Sequence, residues 1–380
     1  MSGIYLHIPF CRQACSYCDF YFVTRKGYRE EFVEALVREI ASYWNTRESR
    51  EAVRSIYFGG GTPSLLETGQ LERILQALAD TFSLDTEEVT LEMNPDDVSR
   101  SYLRELLDLG INRASMGVQS FEPGLLDFMN RAHNRAEALH SLELLRTTGF
   151  RTFTVDLIYG NPGQSPEQLE KDLDTLIGFD PPHVSAYSLT VEPRTKLGRQ
   201  VELGRIVPPD DDVVADHYDL VVKKLAETGI HQYEVSNYSK PGHEAVHNSS
   251  YWRHENYLGL GPAAHSFWWD DTGKAIRWSN KPDLKAYLDD DFPSIRREKE
   301  ELTSLQLAEE RLMLGLRTRE GVSRRELNER YEYELNTRQQ EYIEQQQEEH
   351  IFSDDPDNLS LTIEGRKIAD SIILDLITMH

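Results

Sequence analysis

Three thiols fall within eight positions of the sequence, Cys11, Cys15 and Cys18 in "CRQACSYCDF", and they are all the cysteines in the chain. Three cannot build a disulfide framework, and C-x3-C-x2-C in a reducing compartment reads as metal ligation or catalysis. Three chemistries are open. Structural zinc would need a fourth ligand, for which His7 is one choice. A [4Fe-4S] cluster on three thiolates would leave one iron without a protein ligand, free to bind a substrate or cofactor. A redox dithiol is the third. Zinc knuckles usually pair two short two-ligand clips, whereas these thiols share one stretch behind a strand-like run, which favours the cluster.

Other residues of chemical interest follow strand-like runs in the same way. "GGGTP" at 59–63 is not the dinucleotide GxGxxG, but Gly60 and Gly61 let backbone groups approach a ligand closely. Glu92, Gln119 and Asp156 end three different runs, so they meet only if those strand ends converge; otherwise they are helix caps or buried polar links. Arg131 in "FMNRAH" offers a planar fork suited to a carboxylate.

The elements that must position these residues alternate regularly. Strand-like runs at "IYLHIPF", "VRSIYFGGGTP", "VTLEMNP", "RASMGVQSF", "RTFTVDLIYG" and "HVSAYSLTVEP" are each followed by a segment of helical period. In the first, Tyr28 to Trp44, residues Phe32, Leu36, Ile40 and Trp44 predict one buried stripe. Serial β-then-α units imply parallel strands with right-handed crossovers, in a barrel or an open doubly covered sheet. Either way, ligands bind at the carboxyl ends of the strands, where the polar and glycine residues gather. After about residue 195 the pattern changes: "PPDDD" predicts a turn and helix start, and the His-, Tyr- and Trp-rich stretch from 233 to 269 reads as functional loop. From about residue 301 three helices, a strand-like "LSLT" and a last helix resemble a small winged-helix-like module. The expected division is 1–235, a 236–300 connecting segment, and 301–380.

At 380 residues the chain has room for two or three domains, and 39% apolar with 28% charged residues is a soluble globular balance. A net charge of −24 and a pI near 4.9 oppose binding to nucleic acid or anionic lipid. No apolar run approaches the roughly 18 residues of a membrane span, and the N-terminus lacks the basic region of a signal peptide, so a cytoplasmic location is expected.

The ordered set "YLHIPF", C-x3-C-x2-C, "FGGGTPS", "LEMNP", "SMGVQSF", "VDLIYGNPGQ" and "HNSSYW" resembles the radical S-adenosylmethionine (SAM) superfamily over nearly the whole chain. Within it, the likeness is to the oxygen-independent coproporphyrinogen III oxidase group and the HemW-type haem chaperones. The resemblance implies an α/β partial (β/α)6 barrel with a smaller, mainly helical C-terminal domain. It implies Cys11, Cys15 and Cys18 on a [4Fe-4S] cluster whose open iron chelates SAM, so that reductive cleavage yields a 5′-deoxyadenosyl radical. Tyr5 and Tyr17 would line the cluster and adenine region. Gly60, Gly61, Thr62, Glu92, Gln119, Arg131 and Asp156 would surround SAM.

Two departures separate the chain from the oxidases. Phe20 stands where they carry a further cysteine, and strand-like sequence begins by residue 4, where they have an N-terminal extension. Phe20, with the later HNxxYW motif, instead resembles the chaperones. His247 would then supply an imidazole to haem iron, Asn248 would orient it, and Tyr251 and Trp252 would pack on the porphyrin; His265 is a second candidate. The expected activity is haem binding and transfer to acceptor haemoproteins, with a reductant for the cluster. The alternative is SAM-dependent oxidative decarboxylation of porphyrinogen propionates.

Overall fold

In the computed structural model, which describes residues 2–25, 27–289, 296 and 299–379, the serial units form the strands β1 (Ser2–Ile8), β2 (Val53–Gly60), β3 (Leu84–Met93), β4 (Arg113–Gln119), β5 (Thr152–Tyr159) and β6 (His183–Ser188). They pair in parallel, in chain order. The crossovers are α1 (Arg29–Ser42), α2 (Thr68–Thr81), α3 (Arg100–Asp108), α4 (Pro123–Phe128) with α5 (Arg135–Thr148), and α6 (Pro166–Ile177). Two further helices, α7 (Lys196–Glu202) and α8 (Asp211–Ala226), follow β6. Local chemistry sets their starts: Asn134 with Glu137, and Ser165 with Gln168, form capping boxes ahead of α5 and α6.

The strands alternate. Ile4, Leu6, Ile8, Phe58, Leu91, Met116, Leu157 and Val184 join Phe32, Leu36, Leu71, Leu78 and Leu173 of the helices in one core, each contributing about 1.5–3 kcal/mol by burial. The intervening positions are Tyr5 and His7, Ser55 and Tyr57, Glu88 and Glu92, Arg113 and Ser115, Thr154 and Asp156, His183 and Ser185. Successive side chains point to opposite faces, so the face away from the helices is polar. A sheet covered by helices on both faces would instead read as continuous apolar runs. Here the inner face carries its own hydrogen bonds from strand to strand: Thr154 to His183 at 3.1 Å, Tyr57 to Glu92 at 2.7 Å, and Arg113 to Thr154.

Two expectations need correction. Helix α1 ends at Ser42, and Trp44 beyond it is 69% exposed, so the buried stripe stops at Ile40. The His- and aromatic-rich stretch is not a loop. Preceded by β7 (His231–Gln232), it contributes β8 (Asn237–Ser239), α9 (Val246–Trp252), β9 (Asn256–Leu260) and β10 (His265–Trp269), followed by β11 (Ala275–Ser279), α10 (Leu284–Asp289) and β12 (Glu300–Leu302). These pieces are too short to register a period in sequence. Strand β9 lies parallel to β1, and the whole is a 12-stranded sheet in the order β12-β11-β10-β9-β1-β2-β3-β4-β5-β6-β8-β7. Gly259 allows the turn back into β10, since a Cβ there would sit 2.1 Å from the His265 carbonyl oxygen. The buried Glu39 of α1 ties this addition down, accepting from Gly261 N–H at 2.8 Å, Asn280 Nδ2 at 2.8 Å and the Tyr287 hydroxyl at 2.6 Å.

The C-terminal part comprises α11 (Ser304–Gly315), β13 (Val322–Ser323), α12 (Arg324–Tyr331), α13 (Thr337–Glu348), β14 (Asn358–Leu359), α14 (Ile363–Lys367) and α15 (Ala369–Thr378). Strands β13 and β14 pair antiparallel. A second core of Leu312, Leu316, Leu327, Ile343 and Leu376 takes in Phe267 and Ala275 from the large sheet, which docks this part on it. The single last helix expected from sequence is interrupted at Ile368, whose backbone (φ −117°, ψ 25°) leaves the helical region. Among the described residues no helix is long and apolar enough to cross a membrane.

Candidate functional site

The thiols occupy the loop between β1 and α1, and backbone bonds pin that loop from several sides. Cys11 N–H donates to the Val23 carbonyl at 3.0 Å, Gly61 N–H to Ile8 at 2.8 Å, Thr62 N–H to Phe10 at 2.7 Å and Ser16 N–H to Met129 at 3.0 Å. A Cβ on Gly61 would lie 2.7 Å from the Phe10 oxygen and 2.8 Å from that of Ile8, so only glycine permits this contact. Cys11, Cys15 and Cys18 are free, partly exposed thiols lining one cavity of about 570 Å³. Burial, and then the neighbouring thiols, push Cys11 up to about 12; burial likewise takes Cys18 to about 11.

The same cavity gathers Tyr17, Gly60, Gly61, Thr62, Glu92, Gln119, Arg131 and Asp156 from the ends of different strands. The Thr62 hydroxyl lies 3.7 Å from the Cys11 sulfur. Arg131 spans the site, with Nη1 3.3 Å from the Cys15 sulfur and Nη2 donating to Asn94 Oδ1 at 2.6 Å and the Gly117 carbonyl at 2.7 Å. Gln119 closes β4 with φ of 69°, a left-handed backbone that a non-glycine residue adopts at a cost of about 1–3 kcal/mol. Burial raises Glu92 to about 7 and Asp156 to about 6, while hydrogen bonds from Tyr57 and Ser185 pull the other way. Both carboxyls would ionise more readily beside a cationic ligand.

A second, larger cavity of about 840 Å³ adjoins the first, with Phe20, Glu92 and Tyr187 lining both. Tyr5 faces this larger cavity rather than the thiols. So do His247, Asn248, Tyr251 and His265, whereas Trp252 lines a separate cleft with Tyr233 and Arg311. His247 is 1% exposed, and both ring nitrogens are engaged: Nδ1 with Ser55 Oγ at 2.9 Å and Nε2 with the Tyr251 hydroxyl at 2.8 Å. The ring stacks on Tyr57 at 5.1 Å. Burial, then the Arg113 charge, takes its pKa down to about 3, so it is neutral. Glu88, beside Arg113, accepts the N–H groups of Val246 (2.8 Å) and His247 (3.1 Å) and so fixes the start of α9 inside the sheet.

Comparison with known proteins places this geometry. Residues 5–176 match the model of the radical SAM superfamily, and residues 302–368 match the HemN C-terminal domain. The heme chaperone HemW of Bacillus subtilis (strain 168) is 37% identical over 341 residues, covering 87% of this chain and 87% of that protein. That of Lactococcus lactis subsp. lactis (strain IL1403) is 34% identical over 373 residues, covering 98% and 96%. The chain belongs to the HemW family of radical SAM proteins. Among solved structures, coproporphyrinogen III oxidase (HemN) from Escherichia coli superposes with a TM-score of 0.82 at 22% identity, over all of this chain and 90% of that one, which establishes the shared fold.

Membership in the radical SAM superfamily implies a [4Fe-4S] cluster and SAM, and the residues present fit both. Among the described residues no three His, Cys, Asp or Glu side chains are close enough to hold a single metal ion, while the corners of a cube accept thiolates that stand further apart. His7, the imagined fourth zinc ligand, has its Nε2 on the Tyr21 carbonyl at 2.8 Å and its Nδ1 3.2 Å from the Tyr5 hydroxyl. Cys11 and Cys18 ionise readily only beside added positive charge, which a cluster iron supplies when bound. The acids Glu92 and Asp156 together with Arg131 suit a ligand carrying both an amino and a carboxylate group.

Sequence reasoning missed Ser55, Tyr57, Glu88, Asn94, Arg113 and Tyr187. All but Asn94 lie on strands, and their signal was the polar residue at every second position, a period-2 pattern read at first only as strand.

Proposed function

We propose that the chain is a haem chaperone, binding haem in the larger cavity and passing it to acceptor haemoproteins. The relatives named heme chaperone HemW motivate the reading, and the observation that carries it is the second cavity: about 840 Å³, rich in aromatic side chains, and meeting the thiol cavity at Phe20, Glu92 and Tyr187. Ligand pockets typically measure about 300–1,000 Å³, lined by aromatic residues with a few polar groups. In this reading Cys11, Cys15 and Cys18 hold the cluster. Tyr17, Gly60, Gly61, Thr62, Glu92, Gln119, Arg131 and Asp156 surround SAM. Haem meets the HNxxYW helix at Asn248 and Tyr251, with His247 as the residue that positions Tyr251. An iron bond from His247 would require its Nε2 to release the Tyr251 hydroxyl. The work is cytoplasmic and needs a reductant for the cluster.

The test is haem titration of the anaerobically reconstituted chain, followed by transfer to an apo-haemoprotein, beside an assay for decarboxylation of coproporphyrinogen III with SAM and a reductant. Stoichiometric haem binding with transfer, and no decarboxylation, is expected. Conversion to protoporphyrinogen IX with no haem transfer would make the oxidase the correct reading.

A further inference from the structure

The larger cavity draws its walls from opposite flanks of the sheet. Tyr187 and Arg194 come from β6 and the loop after it, while Phe267 and Arg277 come from β10 and β11, across the strand order. Met313 and Leu314 of α11 add an apolar surface from the C-terminal part. In a chain of net charge −24, the two arginines are the cations of this cavity among the described residues, and they differ in one respect. Arg277 is already neutralised, with Nη2 3.0 Å from Glu300 and Nη1 2.7 Å from Glu310. Arg194 is exposed and, among the described residues, forms no ion pair and no side-chain hydrogen bond. An unpaired guanidinium at the rim of an aromatic cavity is a ready partner for a carboxylate, whose geometry its planar fork matches.

We propose that Arg194 anchors the anionic edge of the cavity's ligand, so that a planar tetrapyrrole sits with its propionates at the β6–α7 loop and its apolar edge against Met313 and Leu314. The orientation rests on the haem reading above and deepens it: the site selects a flat ring with carboxylates on one side. Tyr187, 41% exposed and half-facing solvent, lies beneath that ring.

Haem and haem dimethyl ester, which has the same ring but no propionate charge, separate the two ends. Each is titrated into the full-length wild-type chain, Arg194→Ala, Arg194→Lys and Met313→Ala. Arg194→Ala is expected to weaken haem about five- to tenfold and leave the ester unchanged, with Arg194→Lys recovering part of the loss. Met313→Ala is expected to weaken both compounds alike. Equal losses of haem and ester in Arg194→Ala, or no loss of either, would overturn the orientation while leaving haem binding intact. A wild-type chain that binds neither compound would overturn the chaperone reading and this inference together.

Discussion

His247 separates a wall residue from an iron ligand. In His247→Ala the side chain lost is 1% exposed, stacked on Tyr57 at 5.1 Å and edge-on to Tyr251 at 4.9 Å, and bonded at both nitrogens. Two buried hydrogen bonds contribute about 1 kcal/mol each, and the unpartnered hydroxyls of Ser55 and Tyr251 together with the void add about 2 kcal/mol. The sum, about 4 kcal/mol, lowers the melting temperature by roughly 5 °C, because an unfolding entropy of about 2.1 cal/mol/K per residue over 380 residues gives about 1.3 °C per kcal/mol. His247→Gln keeps a donor and an acceptor in place, so it is expected to recover more than half of that loss. It should also flatten the acid limb. A neutral imidazole held at about 3 in the folded chain and near 6.5 unfolded makes stability fall as pH drops through that window. Melting is followed by circular dichroism, and haem affinity by absorption. We expect His247→Ala to weaken haem because Tyr251 loses its anchor, and His247→Gln to hold affinity within about threefold, about 0.65 kcal/mol. A Gln variant that melts like wild type but loses haem more than tenfold, with an altered iron spectrum, would show the imidazole on the iron and refute the positioning argument.

Two further outcomes follow from the thiol cavity. Gly61→Ala forces a Cβ against two backbone oxygens at 2.7 and 2.8 Å, so the thiol loop must move; anaerobic reconstitution should then incorporate less than half of the about four irons a cube needs, read as iron and sulfide per chain. A full complement would show that the loop tolerates displacement. Glu92, raised by burial to about 7, holds a proton in the folded chain that it loses when unfolded above about 4.5, so stability should decline as pH rises toward 7. Glu92→Gln should remove about 1–3 kcal/mol of that decline, discounted because the carboxyl opens onto both cavities; an unchanged pH profile of melting would place its charge cost elsewhere.

Much of this was legible in the sequence for physical reasons, and the failures have physical reasons too. Helices α2, α3, α5, α6 and α8 announced themselves through period, and the three cysteines through spacing alone, whereas α4 and α7, of six and seven residues, were too short to do so. The convergence of Glu92, Gln119 and Asp156 followed once parallel strands were inferred. Strand β9 was illegible, because five residues containing a glycine, set among aromatics, carry no period and its partner β1 is some 250 positions away. The depth of His247 was hidden for a related reason: its burial depends on Ser55 of β2 and Glu88 of β3, neither of which its own neighbourhood in sequence reveals. Trp44 misled because a four-residue spacing continues past the point where the helix has already stopped.

The pairing of β9 with β1 bears on how the protein is made. Strand β1, made well before its partner, has a far edge that stays open until residues 256–260 emerge, which at about 5–20 residues per second is a wait of roughly 10–50 s. Throughout that interval an apolar ribbon lies bare beside the nascent thiol loop, open to mispairing with other chains. Truncation near residue 235, the end of the first division expected from sequence, would make that temporary exposure permanent.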